Sequence, residues 1–230
     1  MRLDLDDSER DLEATPGRLD LTIFEQEALK EFCSQGAQRA ADALGKFLGW
    51  RVSTAFRQAQ VVPQEEALAR WTHSGLRTEG SLIATYARVP GAIPLATLVT
   101  LDDLSALSVV STLRGNPSED LRPLSFEDQA MLKEFCNILG NSFLSVLADL
   151  LEVPLLPRSP VLITDTLAAI IDFVALSQSS TRYLLTFSIG LNTNQTSSQV
   201  IIALILDEAA LSVLATKIDR IFGLEPMLAN

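Results

Sequence analysis

Histidine occurs once in the 230 residues, cysteine twice, and aromatic residues make up only 6% of the chain. A lone His73 gives little support to a histidine-rich zinc site or a serine-type triad, each of which needs an imidazole among several fixed partners. Cys33 and Cys136 form neither a CxxC metal pattern nor a disulfide framework, so two reduced, buried thiols are expected. Positive charge is also scarce: 18 Lys and Arg stand against 29 Asp and Glu, a formal charge of −11. That balance argues against binding along the phosphate backbone of nucleic acid, which relies on clustered cations. No uncharged apolar run reaches the roughly 20 residues that span a bilayer. The first twenty residues, MRLDLDDSERDLEATPGRLD, lack the apolar core of a signal peptide. A cytoplasmic protein with neither membrane nor nucleic-acid partner is the expectation.

What is abundant is aliphatic, and it is repeated. The pentapeptide LKEFC occurs at Leu29–Cys33 and again at Leu132–Cys136, which points to an internal duplication. Both copies sit in long proline-free segments with apolar residues at helical spacing, TIFEQEALKEFCSQGAQRAADALGKFLGW and SFEDQAMLKEFCNILGNSFLSVLADLLEV. Ser125 with Asp128 three residues on predicts the start of the second helix, and Pro154 its end. Each helix is followed by a matching series. The first is RVSTAFRQAQVV (strand), QEEALARW (short helix), GSLIATYARV and IPLATLVTL (hairpin), then DDLSALSVVSTL (helix). The second is PVLITDT, LAAIIDFVAL, TRYLLTFSIGL, SQVIIALIL and DEAALSVLATKI.

Three strands and a helix bury little surface alone, so the halves are expected to share one sheet and one core. The fold class is α/β (α+β): a pseudo-two-fold duplicated domain with about six mainly antiparallel strands and two long helices carrying the motif copies. Residues 1–20 read as an acidic flexible leader, 21–222 as a single domain of two repeats (about 21–114 and 125–221), and 223–230 as a tail. The Gly-, Pro- and Asn-containing stretch RGNPSEDLRPL at 114–124 reads as the linker between repeats.

At about 100° per residue, Leu132, Phe135, Leu139, Phe143, Val146 and Leu150 share one face of the second helix. Ala130, Glu134, Asn137, Asn141 and Ser145 line the opposite face. In the first helix the equivalent stripe is Glu27, Glu31, Ser34, Gln38 and Asp42. A polar stripe opposite an apolar face is what any solvated surface helix shows. Two mid-helix asparagines are nevertheless unusual, because their amides compete for backbone hydrogen bonds.

Glu134, Asn137 three residues later, and Pro160 after twenty-two intervening residues resemble the signature of the CheC/CheX/FliY family of CheY-phosphate phosphatases, most closely CheC. The segment LKEFCNILGNSFLSVLADLL is similar to that family's second-motif helix. The chain departs from the pattern at Ala130, where the family has an acidic residue or Ser, although Glu127 and Asp128 lie close by in sequence. In the first repeat Glu27 and Glu31 fit, but Ser34 stands where Asn is expected, Arg57 falls at the proline position, and the nearest proline is Pro63. No flagellar-switch domain follows the second repeat, so a FliY-like motor component is not the expected reading.

The resemblance implies a phosphatase acting on the aspartyl phosphate of a CheY-like response regulator in chemotaxis or related two-component signalling. Glu134 and Asn137 would be its catalytic residues, with Glu31 and Ser34 as a degenerate second site. It implies no cofactor of the chain's own, Mg²⁺ being supplied by the regulator. Its partners would be that phosphorylated regulator and a CheD-like protein. Such a reaction needs neither nucleophile nor strong base, only a water held in line with phosphorus. An amide suits this, since it both donates and accepts hydrogen bonds and stays neutral beside the phosphoryl group. Asn137 is therefore assigned to the attacking water and Glu134 to the regulator's active-site lysine, while Pro160 shapes the chain after the helix. Two other readings fit the same residues: a non-catalytic CheC-like module that binds a response regulator or a CheD-like deamidase, and an unrelated dimerising α/β protein whose polar stripes are only solvated.

Overall fold

The computed structural model describes residues 23–49, 51–73, 76–115, 123–177, 182–192 and 197–222. The expected leader, the tail and most of the linker lie outside them. Two long helices, α1 (Ile23–Leu48) and α4 (Phe126–Leu151), open the two halves. After α1 come β1 (Ser53–Pro63), a short 3₁₀ turn, α2 (Ala67–Thr72), β2 (Leu82–Val89), β3 (Leu95–Asp102) and α3 (Asp103–Leu113). After α4 come β4 (Val161–Asp165), α5 (Leu167–Leu176), β5 (Arg182–Asn192), β6 (Ser197–Asp207) and α6 (Glu208–Phe222). The element order expected from the sequence is the one observed, twice over.

The six strands make one antiparallel sheet in the order β1-β5-β6-β3-β2-β4. Exchanging β1–β3 for β4–β6 reverses this order onto itself, so the halves interleave about a pseudo-two-fold axis between β6 and β3. Those two central strands, LATLVTL and VIIALIL, are buried on both faces, which explains their near-unbroken apolar runs. One face of the sheet carries α1 and α4, flanked by α3 and α6, over Val99, Leu101, Phe187, Ile202 and Leu204. The other carries α2 and α5, with Trp71, Ile170 and Val174 over Leu82, Leu98, Ile201 and Ala203. The helix starts are set by the strand ends. Asp102 and Asp207, the last residues of β3 and β6, accept from the backbone N–H groups of Ser105 (2.7 Å) and Ala210 (2.8 Å). Such caps contribute about 1 kcal/mol each.

By length and composition α4 could cross a membrane, yet 56% of its most apolar window is buried inside this fold. It runs antiparallel to α1: Ala28 and Phe32 line one cavity with Val146 and Leu150, and Leu44 and Leu48 line another with Phe135. The two LKEFC copies therefore lie at opposite ends of the helix pair. The helices approach at Gly36, where an added Cβ would stand 2.8 Å from Phe143 Cδ1. Phe143 has no room to yield, being fully buried between Phe32 (centroids 6.2 Å apart) and Phe187 (5.1 Å). Arg39 crosses from α1 to Ser145 Oγ (3.0 Å) and Asp149 Oδ2 (2.6 Å). Both partners of that ion pair are substantially exposed, so it contributes at most about 1 kcal/mol, and the aromatic interlock dominates.

Gly36→Ala sets two effects against each other. Helix propensity favours alanine by about 0.5–1 kcal/mol, whereas overpacking a core costs about 1–3 kcal/mol. Chemical denaturation should show net destabilisation. Combining the change with Phe143→Leu should recover about 1 kcal/mol relative to the sum of the single changes. A stabilised Gly36→Ala would show that the interlock is looser than described.

Candidate functional site

The start of α4 fixes which of its residues face outward. Ser125 and Asp128 form a capping box, with Asp128 Oδ2 accepting from Ser125 N (2.8 Å) and Oγ (2.8 Å). Asp128 is fully buried, and its Oδ1 accepts from Arg114 Nε at 2.9 Å, which ties the start of α4 to the end of α3. The carboxylate nearest in sequence to Ala130 is thus committed to the helix cap and cannot stand in for the acidic residue missing there. Glu127 is exposed, with one oxygen 3.5 Å from Arg114 Nη2. At the other end α4 stops at Leu151, with Glu152 left-handed (φ 57°) and Val153 N donating to Ala148 O. The chain ends its helix before reaching Pro154.

With that phase, Leu132, Phe135, Leu139, Phe143 and Val146 are buried, as expected, and Leu150 is half-buried. Glu134 and Asn141 are exposed, whereas Asn137 and Ser145 are half-buried rather than open. Asn141 Nδ2 donates to Asn137 Oδ1 at 3.2 Å. This bond orients the Asn137 amide and, among the described residues, leaves its NH₂ and the second lone pair of its oxygen for another molecule. Ser145 serves the fold instead, donating to Ser142 O (2.8 Å) and accepting from Arg39. Phe126, the first residue of α4, is 86% exposed. Eleven positions before Asn137, it falls within about 20° of the same face. Composition gave no hint of it, because a lone Phe at a helix start reads as core.

On α1, Glu31 and Ser34 are both exposed. Gln35 Nε2 donates to Glu31 Oε1 at 2.9 Å, and Gln38 Nε2 to Asp42 Oδ1 at 2.9 Å, so both of these carboxylates are engaged by glutamines of their own helix. Glu27 lies in α1, but its side chain is outside the described set. The proline positions also differ between repeats. Pro160 directly precedes β4, a five-residue edge strand. Its counterpart Arg57 lies inside the eleven-residue β1, at a register shift between Phe56 and Gln58. Pro63 ends that strand. The two halves therefore share topology but not the local chain path after the long helix.

His73 is exposed at the end of α2, its Nδ1 hydrogen-bonded to Ala69 O at 2.8 Å, a helix-terminal role. Both cysteines of the repeated pentapeptide are free and buried. Burial pushes each thiol up to about 12, offset in part for Cys136 by a hydrogen bond with Thr85. At neutral pH neither is a thiolate, so neither is a nucleophile.

No protein-family model matches the sequence, and no curated protein matches it. Solved structures do. Thermotoga maritima FliY superposes with a TM-score of 0.69 at 12% identity, over 88% of this chain and 99% of that one. The FliM of a FliM–SpeE complex from H. pylori gives 0.61 at 10%, over 86% and 97%. The FliM middle domain from H. pylori gives 0.61 at 9%, over 86% and 99%. The chain thus has the fold of FliY and of the FliM middle domain, at identities where the likeness is one of fold.

Thiol reactivity checks the account of the cysteines. In the native protein at pH 8, an aromatic disulfide reagent should label neither Cys33 nor Cys136 on the time scale of a free thiol, since only about one thiol in 10⁴ is ionised. Both should react on denaturation. Rapid native labelling of either would contradict their burial.

Proposed function

Proceeding from the fold shared with FliY and FliM, we propose that this chain hydrolyses the aspartyl phosphate of a CheY-like response regulator, with Asn137 and Glu134 as the catalytic residues. The observation that carries this reading is the oriented amide of Asn137, held by Asn141 one turn from the exposed Glu134. On a regulator that brings its own phosphorylated Asp, Mg²⁺ and lysine, Asn137 holds a water in line with phosphorus and Glu134 engages the lysine. The chain supplies position rather than a base, and positioning accounts for most catalysis in phosphoryl transfer. Phe126 supplies an apolar anchor on the same helix face, of the kind that dominates protein–protein recognition. Glu31 and Ser34 form the weaker counterpart, since a serine hydroxyl cannot span water and phosphoryl oxygen as an amide does.

The alternative is a module on the same fold that binds a regulator, or a CheD-like protein, without turning it over. Ala130 favours it, as do the FliM neighbours, one of them solved in a complex with SpeE and another with FliG.

The kinetics of single variants separate binding from chemistry. With a phosphorylated receiver domain, Asn137→Ala should reduce kcat by about 100-fold, with the fold intact by circular dichroism. Glu134→Ala should also abolish most of the acceleration, Asn141→Ala should give an intermediate loss, and Glu31→Ala should change little. Phe126→Ala should raise KM about tenfold, as expected for a lost interface anchor, with kcat nearly unchanged. Full activity in Asn137→Ala would overturn the assignment.

A further inference from the structure

At one end of the sheet, far from Glu134, three arginines surround an open cleft. They are Arg88 at the end of β2, Arg158 in the segment leading to β4, and Arg182 at the start of β5; Pro90, Pro94 and Ser177 complete the walls. In a chain with so few cations, three guanidinium groups around one cleft of about 370 Å³ call for an explanation. The positions are built. Arg88 Nη2 donates to Ser177 O at 2.8 Å, and Arg158 N donates to Arg88 O at 2.8 Å, so main-chain contacts hold two of the three segments together.

Arg182 is the informative member. It is 92% buried, and among the described residues its buried Nε has no hydrogen-bond partner. Asp207 Oδ2 stands 3.7 Å from Nη1, an ion pair too long for a hydrogen bond. Asp207 also spends its other oxygen capping α6. A desolvated guanidinium whose carboxylate partner stands at 3.7 Å is costly unless a further anion lies beside it.

We propose that this cleft binds a phosphate group, with Arg182 at its base and Arg88 and Arg158 at its mouth. Three guanidinium groups less the Asp207 carboxylate leave two positive charges, matched to a phosphate dianion better than to a single carboxylate. Guanidinium forks suit phosphate oxygens, which they bind in bidentate fashion. The cleft is larger than a bare ion needs and leaves room for the organic part of a phosphate monoester. Phe135, next to Glu134, lines a cavity with Leu191, nine residues along β5 from Arg182 and about 30 Å away along the strand, so this is a separate site from the proposed catalytic one.

The test uses titration calorimetry in chloride buffer, with inorganic phosphate and phenyl phosphate as probes. The wild-type chain should bind both saturably. Arg158→Gln, an exposed change, should weaken binding about tenfold, the scale of one charge-assisted contact. Arg182→Gln should abolish it with the fold intact by circular dichroism. If that variant fails to fold, Arg158→Gln alone decides. Tighter binding of phenyl phosphate would assign the site to an organic phosphate, and equal binding to the free ion; either upholds it. Asn137→Ala should bind phosphate like the wild type, which keeps the outcome independent of the proposed phosphatase. Absence of saturable binding at tens of millimolar, or unchanged binding by Arg158→Gln, would overturn the proposal.

Discussion

The ring of Phe143 seated over Gly36 sets how closely α1 and α4 approach, and the rest of the molecule is arranged around that contact. Packed edge-on against Phe32 and tilted against Phe187, it joins both long helices to the β5 strand of the shared sheet. Because aromatic residues are few in this chain, a large part of their packing is concentrated here. The interlock turns the apolar faces of both helices inward and leaves their polar stripes outward and antiparallel. Two copies of one pentapeptide are thereby carried to opposite ends of a helix pair.

The two halves have one topology and different surfaces. On α1, Glu31 and Asp42 are occupied by glutamines of their own helix. On α4, Ser145 and Asp149 are taken by Arg39, and Asp128 by the cap. What remains outward on α4 is the run from Phe126 through Glu134 and Asn137, with Asn141 engaged in orienting the amide. The proposed chemistry rests on that remainder, and at the equivalent positions of the two helices an amide, Asn137, stands against a hydroxyl, Ser34.

Much of this was legible in the sequence because it is local. Helical periodicity, the Ser125–Asp128 cap and the matching order of elements identify the secondary structure, and the need to bury three strands per half implies a common sheet. The order of strands was not legible: β5 inserts beside β1, and β6 beside β3, through pairings set by tertiary packing alone. The roles of carboxylates were equally hidden. Asp128 reads as a neighbour of the motif, but its buried bond to Arg114 comes from a residue fourteen positions away at the end of another helix. The arginines of the sheet-end cleft, at 88, 158 and 182, share no motif or spacing, and only the fold brings them together.

The most direct test of the central claim is the decay of a phosphorylated CheY-like receiver domain in the presence of substoichiometric amounts of this protein. The account predicts decay faster than the receiver's own, with each molecule of the protein discharging many receivers. Decay that is unchanged, or slowed in proportion to complex formed, would contradict a catalytic role and leave a binding module on the same fold.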